Sequence, residues 1–175
     1  MDGKQCLKDI IVVETDVYPV GRLDYDSEGL LLLTNDASVN HQLLHPSFEH
    51  ARTYWVQVDG AITQEAANIL SKGVTINIEG KPYKTKAALV NLLPETLQVP
   101  ERHPPIRFRK SIPTSWASIQ LTEGKNRQVR KMFAAVGFPV LRLIRAKLGN
   151  YSIHEMQPGD LLSLTEQEVK AGFFR

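Results

Sequence analysis

The chain has 175 residues, 42% of them hydrophobic, enough to bury a core and too apolar for a wholly disordered segment. A single cysteine, Cys6, excludes an internal disulfide and a thiolate metal cage, and no apolar run approaches the roughly 18 residues of a membrane-spanning helix. The net charge of +2 hides a segregation: residues 102–147 hold eleven Lys and Arg against one acid, Glu123, a balance of +10, while the remainder carries −8.

The first residues lack an apolar leader of signal-peptide type, so a soluble cytoplasmic protein is expected. Gly21-Arg22-Leu23-Asp24-Tyr25-Asp26-Ser27-Glu28-Gly29 reads as a short polar loop ahead of a buried strand, Leu30–Thr34. Such a loop is either a solvated turn or the seat of a reactive carboxylate, Asp24, held at the mouth of a rigid strand. Asn35-Asp36 offers a cap for a short helix through Leu44, stopped by Pro46. The stretch Arg52–Asp59 alternates, with Arg52, Tyr54, Val56 and Val58 on one face. Thr63 can cap a helix through Leu70, with Gly73 as its stop.

Val74–Glu79 and Lys84–Leu93 are predicted strands around a Gly80-Lys81-Pro82 turn, and Trp116–Thr122 is another. Between them, residues 94–113 are rich in Pro and Arg and read as a surface loop or arm. Asn126–Val136 has helical spacing, with Val129, Met132, Phe133 and Val136 as its apolar face and Gly137 as terminator. Val140–Ile144 and Leu161–Leu164 are further predicted strands, and Glu166–Gly172 a terminal helix. The expected fold is α+β, a mixed, mostly antiparallel sheet flanked by helices.

The basic segment is the footprint of a protein that binds a polyanion, since each Lys or Arg can neutralise a phosphate and release counterions. Pairing with the acidic remainder across the fold is the alternative. On a helix, Arg127, Arg130 and Lys131 share one face, and the Gly124-Lys125-Asn126 turn puts that face at a helix N-terminus, where backbone N–H groups add to the pull on an anion. A solvated basic face is the plainer reading, although it usually carries interspersed acids. Tyr54 is by default a core aromatic with its hydroxyl at the rim. His41 and His45 are four apart, but Gln42 stands where a zinc-protease motif needs Glu and Pro46 ends the helix, so no metal is expected. A non-catalytic RNA-binding module explains the charge alone. A glycoside-cleaving enzyme would need Asp24 and Asp26 spaced across a sugar.

Three motifs stand in order: Gly-Arg-Leu-Asp-x-x-Ser-Glu-Gly-Leu-Leu-x-Leu-Thr-Asn at 21–35, Arg-x-Tyr-x-Val at 52–56 and Glu-Gly-x-Asn-Arg-Gln-Val-Arg at 123–130. With them the chain resembles the RsuA-like family of ribosomal RNA pseudouridine synthases, on the E-type large-subunit (23S rRNA) branch that lacks an S4 domain. The linking stretches Pro104-Pro105-Ile106-Arg107 to Pro113-Thr114-Ser115-Trp116 and Gly137-Phe138-Pro139 are similar too. The resemblance implies a pseudouridine synthase fold with a central active-site cleft and one two-lobed catalytic domain over 1–175. Family members begin with a further strand carrying a Lys-Pro pair, which is not found here, so the N-terminal strand is expected to be truncated.

The implied activity is isomerisation of a specific uridine in ribosomal RNA to pseudouridine, with base flipping and no cofactor. The resemblance makes Asp24 the catalytic carboxylate, Arg130 its ion-pair partner, and Tyr54 the ring that stacks on uracil and a candidate for removing the C5 proton. Arg22 would fill the gap left in the RNA or meet a phosphate, and Leu143 or Ile144 would form the apolar floor. Arg52, Lys125, Arg127, Lys131, Arg107, Arg109, Lys110, Arg142 and Arg145 would hold the RNA. The implied partner is 23S rRNA or a large-subunit assembly intermediate, with no membrane, and the protein is expected to be a monomer.

Overall fold

Arg52–Asp59 forms the strand around which the sheet is built, because its alternation gives it one face for the core and two edges for pairing. The computed structural model describes residues 6–102, 104–106, 112–154 and 156–174. In chain order the elements are β1 (Tyr18–Pro19), β2 (Glu28–Gly29), β3 (Leu33–Thr34), α1 (Ala37–Leu44), β4 (Arg52–Asp59), α2 (Gln64–Ser71), β5 (Thr75–Ile78), β6 (Lys81–Lys84), β7 (Leu89–Leu93), β8 (Thr114–Leu121), α3 (Gln128–Ala135), β9 (Val140–Leu148), β10 (Tyr151–Ser152) and α4 (Glu166–Phe173). The main sheet runs β10-β9-β4-β8-β7, and β2 joins it by parallel pairing with β9. The β4–β8, β4–β9 and β7–β8 pairs are antiparallel. The protein is α+β, as its pattern implied.

Val56 and Val58 of β4 are fully buried, and α2 and α3 pack their apolar residues over that face. Leu70, Ile119, Met132 and Phe133 complete this core. Each such side chain contributes about 1.5–3 kcal/mol by leaving water. A smaller cluster of Val20, Leu43, Leu148 and Phe173 has Leu30, Leu32 and Val39 packed against it, and its Val20 and Leu43 reach the cavity that Asp24 lines. The helix starts follow from their caps. The Asp36 carboxylate accepts from Ser38 N at 2.7 Å and Val39 N at 3.1 Å, the Thr63 hydroxyl from Ala66 N at 3.2 Å, and Thr165 forms a capping box with Glu168.

Four expectations are corrected. Leu30–Thr34 is not one buried strand: Glu28 and Gly29 pair with β9, the chain bends, and only Leu33 and Thr34 pair with β1. The bend follows Gly29, whose φ is +101°. Lys84–Leu93 is not one strand: the hairpin turns at Glu79-Gly80, so Lys81 and Pro82 enter β6, which ends at Lys84. Before β7 the backbone N of Lys86 donates to the Glu123 side chain and that of Ala88 to Ser71 O. α3 begins at Gln128 instead of Asn126, since Arg127 takes a left-handed backbone, φ 50°. Leu161–Leu164 is not a strand, and Leu161 and Leu162 are exposed. The described part of residues 94–113 contains no strand or helix, in keeping with an arm.

Candidate active site

The Asp24 loop is held at both ends by the backbone. Val20 N donates to Leu32 O at 2.8 Å, and Leu30 N donates to Arg145 O at 2.9 Å. Within the loop, Ser27 N closes a turn onto Asp24 O at 2.9 Å. The Arg145 side chain adds a third tie, its Nε donating to Leu30 O at 2.7 Å. Arg142, three residues earlier on β9, forms a two-pronged pair with Glu28, Nε to Oε1 at 2.8 Å and Nη2 to Oε2 at 2.7 Å. Two buried arginines of β9 therefore clamp the strand that follows the loop.

Two further arginines come from α3. Arg127 donates Nη1 and Nη2 to the two carboxylate oxygens of Asp26, each at 3.0 Å, and its Nη1 lies 3.6 Å from Asp24 Oδ2. Arg130 donates Nη2 to the Asp26 carbonyl at 2.8 Å and lies 3.3 Å from the Asp26 carboxylate. The hydrogen bonds from Arg127 hold the Asp26 carboxyl below the usual carboxylate range. Burial lowers the pKa of Arg130, opposed mainly by the charge of Asp26. The resemblance pairs Asp24 with Arg130; among the described residues the guanidinium within 4 Å of the Asp24 carboxylate is that of Arg127, Arg130 lies nearer the Asp26 carboxylate, and the charge of Asp24 still acts on Arg130. The physical reason is the left-handed turn at Arg127, which swings its guanidinium back over the loop while Arg130, one turn on, reaches the loop backbone. The Asp26 carboxylate is thus engaged by both arginines.

Asp24, 27% exposed, opens on a cavity of about 560 Å³, within the range of small-ligand sites. Arg22, Arg52, Tyr54, Lys125, Arg127 and Leu143 line it, as does Arg145. Arg52 and Tyr54 reach it from the same face of β4 that buries Val56 further along. Tyr54 is the register partner of Arg145 on β9. Burial lowers the Arg145 pKa, and neighbouring Tyr54 counteracts that by favouring its charged form.

Other expected RNA contacts are redistributed. Arg142 is 6% exposed and Arg145 5% exposed: Arg142 is engaged by the Glu28 carboxylate, and Arg145 donates Nε to the Leu30 carbonyl while lining the cavity beside Tyr54. Leu143 lines the cavity, whereas Ile144, the next residue on a strand, is buried away from it. Lys131 is half-buried on α3 and is not part of the cavity wall. Arg107, Arg109 and Lys110 lie outside the described residues. No group of three or more His, Cys, Asp or Glu among the described residues is arranged to hold a metal ion, and the His41 and His45 rings lie 5.4 Å apart by their centroids.

Sequence reading missed one wall altogether. Tyr83 and Lys86 reach the cavity from the β5–β6 hairpin and the residues after it. Glu123 receives the Tyr83 hydroxyl at 2.5 Å, Gln128 Nε2 at 2.5 Å and the Lys86 backbone N at 2.9 Å. The signal was present in the charge pattern, for Glu123 is the one acid among residues 102–147. A carboxylate kept in so basic a segment has donors converging on it.

An α+β fold whose mixed sheet presents a carboxylate loop, gripped by arginines, to a basic cavity defines the class of protein. Over residues 11–135 the sequence matches the RNA pseudouridylate synthase family, and the chain belongs to that family. It is 45% identical over 158 residues to Ribosomal large subunit pseudouridine synthase E of Vibrio parahaemolyticus, covering 90% of this chain and 64% of that protein. It is 47% identical over 143 residues to the protein of the same name from Xanthomonas axonopodis pv. citri, covering 82% and 73%. Ribosomal large subunit pseudouridine synthase B of Bacillus subtilis is 38% identical over 154 residues, covering 88% and 56%. A crystal structure of a pseudouridylate synthase superposes with a TM-score of 0.70 at 26% identity, covering 89% of this chain and 59% of that one. The chain thus spans a little under two thirds of the length of the Vibrio relative.

Proposed function

We propose that the protein isomerises a specific uridine to pseudouridine in ribosomal RNA of the large subunit, as 23S rRNA or an assembly intermediate. The observation that carries the reading is Asp24, set at a basic cavity with Arg127 Nη1 3.6 Å from its carboxylate and Tyr54 in the same cavity wall. The names of the Vibrio and Xanthomonas relatives support the substrate class. We take residues 1–175 to act as one catalytic domain, as a cytoplasmic monomer.

The reaction breaks the N1–C1′ bond, turns the uracil, and joins C5 to C1′. The C5 proton is lost and N1 gains one, so atoms and electrons balance without an oxidant, reductant or cofactor. The uridine must leave the base stack to reach Asp24. Asp24 drives cleavage as an anion, by covalent attack or by assisting a glycal-type intermediate, with the Arg127 guanidinium 3.6 Å from its carboxylate. Tyr54 stacks on the uracil and is the candidate acceptor of the C5 proton. Leu143 forms the floor, Arg22 fills the gap in the RNA or meets a phosphate, and Arg52 and Lys125 meet phosphates, positioning the strand without reading its sequence. Arg130 acts through the loop backbone as a positioning residue.

The test is pseudouridine mapping on a 23S rRNA transcript treated with the protein. Wild type is expected to form product and Asp24→Asn none, with RNA affinity within a few-fold. Product formed by Asp24→Asn rejects the mechanism, and a wild type without product that still binds RNA favours a non-catalytic binding module.

A further inference from the structure

We infer that Tyr83 is a stacking platform for a nucleotide adjacent to the target uridine, a second base-binding subsite in the same cavity that takes single-stranded RNA. The inference rests on the RNA substrate proposed above. Tyr83 lies on β6, outside all three motifs, yet its side chain lines the cavity that Asp24 and Tyr54 line. Asp24 and Tyr54 are committed to the uridine that reacts, and that uridine remains covalently joined to its neighbours, which must pass the remaining walls.

The ring is held in place from several sides. Its hydroxyl donates to Glu123 at 2.5 Å, and Glu123 is fixed in turn by Gln128 and by the Lys86 backbone. A phenol whose hydroxyl is engaged by an internal carboxylate is a poor acid or base, and that carboxylate pushes its pKa up. What Tyr83 can offer a ligand is therefore its ring face. Lys125, an exposed residue, carries its Nζ 5.2 Å from the ring centroid. Lys86, also exposed, is paired with Glu49 across the cavity wall.

A rigid aromatic face beside the exposed Lys125 ammonium matches the two chemistries of a nucleotide. The base stacks on the ring, and the phosphate takes the ammonium. Lys125 leaves the ring for the phosphate, and the face it vacates receives the base. Stacking reads no base edge, so the subsite adds affinity and register without sequence preference.

The experiment measures equilibrium binding of a single-stranded oligouridine nonamer to the full chain at two salt concentrations. Tyr83→Phe and Tyr83→Trp are expected to bind within about threefold of wild type. Tyr83→Leu is expected to bind about ten- to a hundredfold more weakly, by the same factor at both salt concentrations, since stacking releases no counterions. Lys125→Ala is expected to reduce the salt slope by about one. A nonamer carrying one 2-aminopurine should be quenched on binding wild type and not on binding Tyr83→Leu, a signature that mere loss of folding does not reproduce in the wild type. Binding by Tyr83→Leu within twofold of wild type, Tyr83→Phe as weak as Tyr83→Leu, or no quenching with wild type each overturns the subsite. Absence of pseudouridine in the 23S transcript overturns the isomerase reading instead, because oligouridine binding is measured without turnover.

Discussion

Arg127 grips the Asp26 carboxylate with both guanidinium nitrogens at 3.0 Å and with the same group comes within 3.6 Å of Asp24. One cation thereby serves two carboxylates with different tasks: Asp26 fixes the guanidinium in place, and the fixed guanidinium faces Asp24. Arg130, only 11% exposed, completes the arrangement by holding the loop at the Asp26 carbonyl.

Loss of the loop anchor should therefore cost rate more than affinity. Arg130→Ala is expected to lower the single-turnover rate about a hundredfold, the scale of a reacting group misplaced by an ångström, with RNA affinity changed far less. Asp26→Ala and Arg130→Ala both remove the 3.3 Å pair between their side chains, so the double variant should lose less than the sum of the two single losses. Additive losses in single-turnover kinetics would show that the two residues act separately.

Asp26 also makes a prediction about pH. Its folded-state pKa lies below the usual carboxylate range because Arg127 hydrogen-bonds the ionised form. Such a group adds stability that is full above the unfolded value, about 3.9, and is lost as pH falls through the folded value. Thermal melts of wild type and Asp26→Asn should therefore differ most above about pH 4 and converge as the pH drops below it. A difference that stays constant through this range would remove the ion pair from the account.

The Glu28–Arg142 pair is a matter of stability. Glu28→Gln leaves the Arg142 guanidinium buried without its carboxylate, and breaking such a pair costs about 3 kcal/mol or more. A chain of this size should then melt roughly 6–12 °C lower. The double variant Glu28→Leu with Arg142→Met should recover most of that loss, because it removes both charges together. Calorimetry on the three proteins checks both statements.

Gly29 governs how closely β2 approaches β9. Its φ is +101°, and a Cβ placed there would lie 2.4 Å from Arg145 O and 2.7 Å from Arg145 N. Gly29→Ala is expected to lower stability by at least about 2 kcal/mol and to reduce turnover as the Asp24 loop shifts. Gly80→Ala is the control: its φ is +82°, but nothing lies within 4 Å of its Cβ position. It should show a smaller stability loss and unchanged turnover.

Local rules were sufficient where a side chain acts on its own backbone. Asp36, Thr63 and the alternation of Arg52–Asp59 declare α1, α2 and β4 because capping and a two-residue period are properties of neighbouring residues. They failed at Leu30–Thr34, where an apolar run suggests one strand. The pairing that divides it belongs to Ile144 and Arg145, more than a hundred residues away. They also could not say which arginines face solvent. Arg142 and Arg145 stand in the same basic segment as Arg127 and Lys125, and only their positions on β9 opposite Glu28 and Leu30 turn them inward.

The amino-acid sequence by itself determined the α+β class, the starts of α1, α2 and α4, the basic segment and the candidacy of Asp24, since these rest on residue type and short spacing, while Tyr54 entered through the resemblance of its motif. Tertiary structure alone decided that the guanidinium within 4 Å of Asp24 is that of Arg127, that Arg142 and Arg145 turn inward, and that Tyr83 and Glu123 form a wall of the cavity. The physical reason is that a buried charge is satisfied by whichever opposite group the packed strands bring within about 3 Å, and that distance is set by the whole sheet and by no stretch of sequence within it.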